Sequence, residues 1–259
     1  MRTVESILAD WREWDTPWSN PPKILRELVG GTTNQSYLIA VDGGRWVLRL
    51  NTCKPLKLAV DRAREEIIVK RAAAAGIAPK VGYCSIKAGV LITEFIGGVH
   101  WDKKKLVDPE HLSQLLNLLR SVHSLDIDTP AINYFTYAEQ YWAALNAEKI
   151  NIPPALQSER SLIMDQREYD PLNPGITHLC HHDLSPSNII EHEGRLYLLD
   201  WEYAARGSRT FDYAGFLTEW GIPIERLQKH EDLDPASIRL AARLYQYICR
   251  LWILLNAPQ

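Results

Sequence analysis

The stretch HHDLSPSNIIEHEGRLYLLDWE, residues 181–202, decides how the rest of the chain is interpreted. Short apolar runs flank Glu193-Gly194, a pair that favours a tight turn between two strands. We therefore predict a β-hairpin with strands at residues 189–192 and 195–199. In this register, the residue numbers that face each other across the hairpin sum to about 387.

Three polar side chains meet at the open end of this hairpin. Asn188 lies opposite Leu199, one residue from Asp200, and Asp183 lies on the loop that leads into the first strand. Amide and carboxylate oxygens suit Mg²⁺, which fills its other positions with water and substrate phosphates. If Asn188 and Asp200 hold the metal ion, Asp183 is left to accept a proton from an attacking hydroxyl. The alternative is that Asp183 and Asn188 only cap turns.

Histidines are numerous around the hairpin, but their spacing does not predict a zinc site. His178, His181, His182 and His192 lack the spaced pairs of a zinc motif, and we interpret His181 and His182 as supports of the loop. The cysteines are widely separated, which predicts reduced thiols in a cytoplasmic protein. They are Cys53, Cys84, Cys180 and Cys249.

Composition excludes several classes of protein. The 259 residues are 46% hydrophobic and carry a formal net charge of -3, which is typical of an ordinary globular chain. Basic residues are scattered apart from Lys103-Lys104-Lys105, so we do not expect nucleic-acid binding. No run of about 18 apolar residues occurs, which predicts a soluble protein without membrane partners. Its state as a monomer or a homodimer stays open.

The first hundred residues predict antiparallel strands around one helix. A leading helix is indicated at residues 4–14, because apolar residues recur there at helical spacing. Gly97-Gly98 then marks the predicted boundary between an N-terminal nucleotide-binding lobe, residues 1–97, and a C-terminal lobe, residues 98–259. The predicted strands of the first lobe are 24–29, 36–41, 45–50, 81–86 and 90–95, and its predicted helix is 58–75.

The second lobe is predicted to be mainly helical outside the hairpin. Leucines and other apolar residues recur on single helix faces over much of its length. The combination of an N-terminal sheet with a helical second lobe gives an α+β fold class. The predicted helices are 109–125, 137–147, 154–164 and 236–255.

The motif His181-x-Asp183-x-x-x-x-Asn188, followed by Asp200-Trp201-Glu202, resembles the catalytic and metal-binding motifs of the aminoglycoside phosphotransferase and choline kinase superfamily. The resemblance spans roughly residues 24 to 220 and implies a protein-kinase-like fold of two lobes. It makes Asp183 the catalytic base, and Asn188 and Asp200 the ligands of Mg²⁺ beside the phosphates of ATP.

The same resemblance implies a set of nucleotide-binding residues. Arg49 would neutralise phosphates and Glu65 would hold it, with Glu66 as a rival; the alternative is that Arg49 only pairs with Glu65 at a surface. Most family members have lysine at position 49, whereas branches similar to thiamine kinase and bacterial choline kinase have arginine. The implied nucleotide-binding residues are Thr32, Thr33, Asn34, Arg49, Glu65, Glu94 and Ile96, the last two through backbone groups for adenine.

The resemblance also points to an acceptor site. An aromatic wall beside a carboxylate suits a cationic alcohol, and the candidates are Glu202, Tyr203, Trp220 and Trp252, although any tryptophan can equally be a core residue. Asp212 resembles a family aspartate that braces the catalytic loop.

The implied function is transfer of the γ-phosphate of ATP to the hydroxyl of a small cationic alcohol, either thiamine or choline/ethanolamine. An aminoglycoside kinase remains an alternative because acidic residues occur at 225, 231, 232 and 234. A nucleotide-binding pseudokinase is a second alternative, disfavoured because the base, both metal ligands and the phosphate cation are retained. Protein kinase activity is disfavoured because the segment between Asp200 and Asp212 is short.

Overall fold

Strands from the first hundred residues form one antiparallel sheet of five strands. The computed structural model describes residues 3–29, 34–51, 58, 60–166 and 178–256. The predicted strands are all present, with ends that differ by one or two residues. They are β1 (Lys23–Leu28), β2 (Asn34–Val41), β3 (Gly44–Asn51), β4 (Val81–Ser85) and β5 (Val90–Glu94), in the spatial order β1-β2-β3-β5-β4.

The leading segment differs from its prediction. Helix α1 covers only Val4–Leu8, and a separate 3₁₀ turn follows at Trp11–Glu13. The apolar spacing that predicted one continuous helix instead reflects packing onto the sheet, where Trp14 stacks on Tyr83 with ring centroids 4.9 Å apart. The periodic pattern therefore predicted correctly that these apolar residues are buried, but it predicted a longer helix than the one observed.

Helix α2 (Arg62–Ala74) packs on the sheet and begins later than predicted. Asp61 caps it, because its carboxylate accepts hydrogen bonds from the backbone of Ala63 at 2.9 Å and of Arg64 at 3.1 Å. The start at this cap places Glu65 in the first turn, where its side chain is buried. The helix thus presents the Glu65 carboxylate toward the interior of the protein.

The remaining chain is mainly helical, as predicted. Helix α8 is amphipathic, and its apolar face packs on α4, α5 and α6 to form a second hydrophobic core. The four predicted helices are present, and two more follow the hairpin. The helices are α3 (Pro109–His123), α4 (Tyr134–Ala147), α5 (Pro154–Met164), α6 (Arg209–Trp220), α7 (Ile224–Leu227) and α8 (Pro235–Asn256).

The hairpin has the predicted register. Strands β8 (Ile189–His192) and β9 (Arg195–Leu198) pair so that facing residue numbers sum to 387, as in Ile189 with Leu198. Two short pairings were not predicted. Strand β6 (Val99–His100) pairs with β8, and β7 (His178–Cys180) pairs with β10 (Ala205–Gly207).

Gly98 is a point of close packing rather than a flexible junction. A Cβ atom at this position would lie 2.1 Å from the carbonyl oxygen of Glu191, so only glycine allows the backbone to approach β8. The predicted boundary between lobes at residues 97 and 98 stays a prediction.

The described helices include none with the length and hydrophobicity needed to cross a lipid bilayer. The cysteines of the described residues, Cys84, Cys180 and Cys249, are free thiols. Cys53 lies outside the described residues.

Candidate active site

The loop between β7 and β8 brings Asp183 and Asn188 together. The side-chain nitrogen of Asn188 donates to the Asp183 carboxylate at 2.8 Å and to the Asp183 carbonyl at 3.0 Å. A 3₁₀ turn at Pro186–Asn188 makes this contact possible, and Leu199 donates its N–H to the Asn188 carbonyl at 2.9 Å. The hairpin therefore holds Asn188 opposite Leu199, the residue that precedes Asp200, as its register predicts.

A buried carboxylate on α6 fixes the start of this loop. Asp212 accepts the backbone N–H groups of His181 at 3.0 Å and His182 at 2.8 Å, and it pairs with Nε2 of His123 at 3.0 Å. Burial alone would raise the pKa of Asp212, but these hydrogen bonds and the nearby histidines lower it to about 2. The bracing contacts that the resemblance implies are present in the structure.

The two histidines before Asp183 are parts of the scaffold. His181 donates from Nε2 to the Leu199 carbonyl at 3.0 Å, and its Nδ1 accepts the N–H of Asp183 at 3.3 Å. His182 donates from Nδ1 to the Tyr203 carbonyl at 3.1 Å, and its Nε2 accepts from Tyr134 at 2.9 Å. Burial lowers the pKa of His181, and it lowers that of His182 to about 4, which favours the neutral form of both rings.

Arg49 on β3 joins two acids, one on α2 and one in the segment after β9. It contacts Glu65 at 2.5 Å and Asp200 at 3.1 Å through different guanidinium nitrogens. Glu66 instead pairs with Lys70 on the outer face of α2, so the structure selects Glu65 as the partner of Arg49.

Asp200 has a left-handed backbone conformation with φ of 56°, and 36% of its side chain is exposed. Although part of this side chain is open to the cavity, the surrounding protein removes the carboxyl group from most of its contact with water, and this desolvation, together with the charges of Glu202 and Asp183, raises the pKa of Asp200 to about 7 against the opposing effect of Arg49. A positive-φ aspartate with a raised pKa at the mouth of a cleft is typical of a functional position.

Arg62 was missed by sequence reasoning. It contacts Glu65 at 2.6 Å and Glu202 at 3.1 Å, and Asn34 donates to the same Glu202 oxygen at 2.9 Å. The spacing of three residues between Arg62 and Glu65 places both on one helix face, which is the signal that could have found it.

A cavity of about 320 Å³ opens beside Asp183 and Asp200. Aromatic rings are the most frequent side chains in its wall, and its acids include Glu202, a candidate from the sequence, and Glu219, which was not a candidate. Tyr203 and Trp252, two further candidates from the sequence, lie in the wall and are joined by a 3.2 Å hydrogen bond. The lining residues are Ile132, Tyr134, Tyr137, Tyr141, His182, Asp183, Asp200, Glu202, Tyr203, Phe211, Glu219, Tyr245, Ile248, Cys249, Trp252 and Ile253.

Trp220, which the sequence made a candidate for contact with the acceptor, does not line this cavity. Its ring is buried in the core below the loop that carries Asp183, where the indole N–H donates to the Leu184 carbonyl at 2.8 Å. Glu219, the preceding residue on α6, reaches the cavity instead and accepts a hydrogen bond from Tyr245 at 3.0 Å.

The cavity takes its charge from carboxylates. Burial raises the pKa values of Tyr137, Tyr141, Tyr203 and Tyr245, so these phenols stay neutral. The cavity therefore combines neutral rings with acidic groups, which is an environment that attracts a cation.

The predicted adenine contacts lie at the end of β5. Glu94 faces Trp46 across the sheet and donates its N–H to the Lys80 carbonyl at 2.8 Å, and Ile96 follows in the connection to β6. Their role toward adenine stays a prediction. Thr32 and Thr33 lie outside the described residues, while Asn34 begins β2 beside Glu202.

The donor set fits a magnesium ion. Asn188 uses its amide nitrogen on Asp183, which leaves its amide oxygen as the group that could bind a cation. Asp200 adds a partly exposed carboxylate, and Mg²⁺ prefers such hard oxygen ligands in combination with phosphates and water. Asn188 and Asp200 would therefore hold the ion.

Comparisons with known proteins agree with this geometry. A family model described as choline/ethanolamine kinase matches residues 25–248. Protein LicA of Haemophilus influenzae is 27% identical over 195 residues, which cover 74% of this chain and 57% of that protein. The match thus spans little more than half of that relative's length.

Solved structures support the fold. Choline kinase LicA from Streptococcus pneumoniae superimposes with a TM-score of 0.77 at 22% identity, covering 89% of this chain and 86% of that chain. A thermostable mutant of an aminoglycoside phosphotransferase, in ternary complex with AMP-PNP and hygromycin B, gives a TM-score of 0.69 at 18% identity, covering 97% and 92%. Both confirm the kinase-like α+β fold that the sequence implies. Because the family model matches most of the sequence, the chain belongs to the choline/ethanolamine kinase family.

Proposed function

We propose that this chain transfers the γ-phosphate of ATP to the hydroxyl of choline, with ethanolamine as a poorer acceptor. One observation carries the proposal, namely the aromatic and acidic cavity that opens on Asp183. An acceptor bound there presents its hydroxyl to the candidate base, and the family match favours choline and ethanolamine over thiamine.

The hydrogen bonds within the cavity wall favour a quaternary ammonium group. Glu219 already accepts a hydrogen bond from Tyr245, and Trp252 already donates one to Tyr203, so polar groups of the wall are engaged with one another. A primary ammonium needs several directed acceptors, whereas a quaternary ammonium needs only nearby negative charge and aromatic faces. The cavity therefore suits choline better than ethanolamine.

The transfer itself needs a base and charge neutralisation. In the proposed reaction, the acceptor oxygen forms a bond to the γ-phosphorus, the bond to the β-phosphate oxygen breaks, and the hydroxyl proton moves to Asp183. The hydrogen bond from Asn188 orients that carboxylate. Arg49 contributes positive charge beside the phosphates, and Mg²⁺ held by Asn188 and Asp200 would supply further neutralisation.

The test is a coupled assay of ATP consumption with a series of acceptors. We expect kcat/KM to rise from ethanolamine through its N-methyl and N,N-dimethyl derivatives to choline, because each methyl group adds contact with the aromatic wall. Phosphorus NMR would identify the phosphomonoester product. Turnover of thiamine or an aminoglycoside without turnover of choline would contradict the proposal.

The role of Asp183 is tested by Asp183→Asn. We expect kcat to fall by about 10³-fold while binding of Mg·AMP-PNP is retained, because the amide cannot accept the proton. Asp165→Asn, at the exposed end of α5, serves as the matched control. Equal kcat in the parent and in Asp183→Asn would favour a role without catalysis.

A further inference from the structure

Arg62 stands between the nucleotide side of the site and the acceptor cavity. It is the first residue of α2, and 17% of its side chain is exposed. One guanidinium nitrogen contacts Glu65 at 2.6 Å, and the other contacts Glu202 at 3.1 Å and Asn34 at 3.4 Å. A single side chain therefore connects α2 with an acid of the cavity wall.

The arrangement has a counterpart in Arg49. The two arginines bind different oxygens of Glu65, and each extends its other nitrogen to an acid in the segment after β9. Arg49 reaches Asp200, and Arg62 reaches Glu202. The pair thus forms two parallel bridges that start from one shared carboxylate.

Two cations compete for the Glu202 carboxylate, namely the guanidinium group of Arg62 and the cationic group of a bound acceptor. Its side chain is 2% exposed and lies in the wall of the cavity that the proposed function assigns to a cationic acceptor. A carboxylate already neutralised by a guanidinium attracts an ammonium group less strongly. The contact with Arg62 therefore lowers the affinity of the cavity for its substrate.

Bound nucleotide changes this competition. The γ-phosphate must come close to Asp183 for transfer, so it brings several negative charges to the side of the site where Arg49 and Arg62 lie. Guanidinium groups bind phosphates strongly and with two hydrogen bonds at once. The triphosphate is thus a competitor of Glu202 for Arg62.

We propose that Arg62 couples the two substrates: it partly neutralises Glu202 in the nucleotide-free enzyme and moves to the triphosphate when nucleotide binds, which removes its positive charge from Glu202 and strengthens the attraction of Glu202 for the cationic acceptor. The acceptor half of this proposal rests on the proposed function. Coupling of this kind is reciprocal, so the acceptor must tighten nucleotide binding by the same factor.

The proposal predicts that removal of the Arg62 charge tightens the binding of choline in the absence of nucleotide. In the parent, Mg·AMP-PNP should lower the Kd of choline by about 5-fold or more, as measured by calorimetry. In Arg62→Gln, choline should bind more tightly than to the parent without nucleotide, and AMP-PNP should no longer improve its Kd. Damage to the fold would weaken choline binding instead. Arg71→Gln, an exposed residue on the same helix, is the matched control.

A nucleotide measurement decides the role of Arg62 independently of the acceptor. Arg62→Gln should raise the Kd of Mg·AMP-PNP by about 10-fold and leave that of AMP within twofold, since AMP lacks the β- and γ-phosphates. Unchanged AMP-PNP affinity would overturn the proposal even if no amine alcohol bound the parent. Absence of choline and ethanolamine binding by the parent would contradict the proposed function alone.

Glu202→Gln tests the same link from the other side. Choline should bind this variant weakly, with a Kd that does not respond to AMP-PNP, and the added change Arg62→Gln should no longer tighten nucleotide-free binding. The double-mutant cycle isolates the interaction of these two residues. If Arg62→Gln alters choline affinity equally in both backgrounds, or if Arg62→Gln retains the coupling of the parent, the proposal is wrong.

Discussion

Two clusters of charge flank the loop that carries Asp183, and they are built in opposite ways. Around Asp212, one buried carboxylate accepts hydrogen bonds from the backbone of His181 and His182 and pairs with His123. Around Glu65, one carboxylate contacts the guanidinium groups of both Arg49 and Arg62. We name these the Asp212 cluster and the Glu65 cluster.

The difference lies in what each cluster can do when ligands arrive. The Asp212 side chain is fully buried and holds the backbone of the loop, so any rearrangement leaves buried N–H groups without partners. The Glu65 cluster ends at Asp200, whose side chain is 36% exposed, and its arginines can exchange one anion for another. The first cluster holds the loop that carries Asp183, and the second is the one whose charges we propose to exchange partners when substrates bind.

The largest effect on folding is expected from Asp212→Asn. The amide would turn a donor toward backbone N–H groups and leave buried hydrogen bonds unmade, which should lower the free energy of unfolding by about 3–5 kcal/mol. Urea denaturation measures this change. The control is Asp128→Asn, whose carboxylate is fully exposed. A loss below about 1 kcal/mol would show that the Asp212 cluster does not hold the loop.

The pH dependence of stability sharpens the description of the Asp212 cluster. His182 has a folded-state pKa of about 4, below the usual 6.5, so the unfolded chain binds more protons between these values. The free energy of unfolding should therefore fall as the pH drops from about 6.5 to 4, by up to about 3 kcal/mol from this residue.

His182→Asn should make this decline shallower. Asparagine tolerates the left-handed backbone at this position, where φ is 66°, and it does not titrate. A smaller decline should remain because burial also lowers the pKa of His181. Urea midpoints at pH 7, 5.5 and 4.5 would compare the two proteins, and identical slopes would show that His182 is not buried in its neutral form.

The sequence predicts most of the fold where local patterns decide it. The Glu193-Gly194 turn fixed the register of the hairpin, which in turn placed Asn188 beside Asp200. Strand β6 was missed because two residues carry no periodic pattern, and its pairing depends on the long-range contact at Gly98. Pairing between strands that are far apart in the sequence cannot be predicted from local sequence patterns.

The candidate site is predictable where spacing determines geometry and not where helix rotation does. Glu219 and Trp220 are neighbours in sequence, but successive helix residues point about 100° apart, so one faces the cavity and the other the core. The motif suggested the tryptophan, and the structure selects the glutamate. The choice of Glu65 over Glu66 needed the same information.

The smallest of these effects is expected in the Glu65 cluster, from Arg49→Lys. Lysine keeps the charge but carries one nitrogen, so it cannot contact Glu65 and Asp200 through separate groups. The Nε of Arg49 has no hydrogen-bond partner among the described residues, so its removal breaks no bond there. Glu65 also retains its contact with Arg62.

Because lysine keeps a positive charge beside Glu65, we expect the KM for ATP to rise by about 10-fold in Arg49→Lys, while the free energy of unfolding changes by less than about 1 kcal/mol. Steady-state kinetics and urea denaturation give the two values, with Arg71→Lys as a control on the exposed face of α2. A loss of stability as large as that of Asp212→Asn would break the comparison, because the Glu65 cluster would then be a fixed support as well. Only the combination of weaker nucleotide binding with unchanged stability fits a cluster whose charges exchange partners.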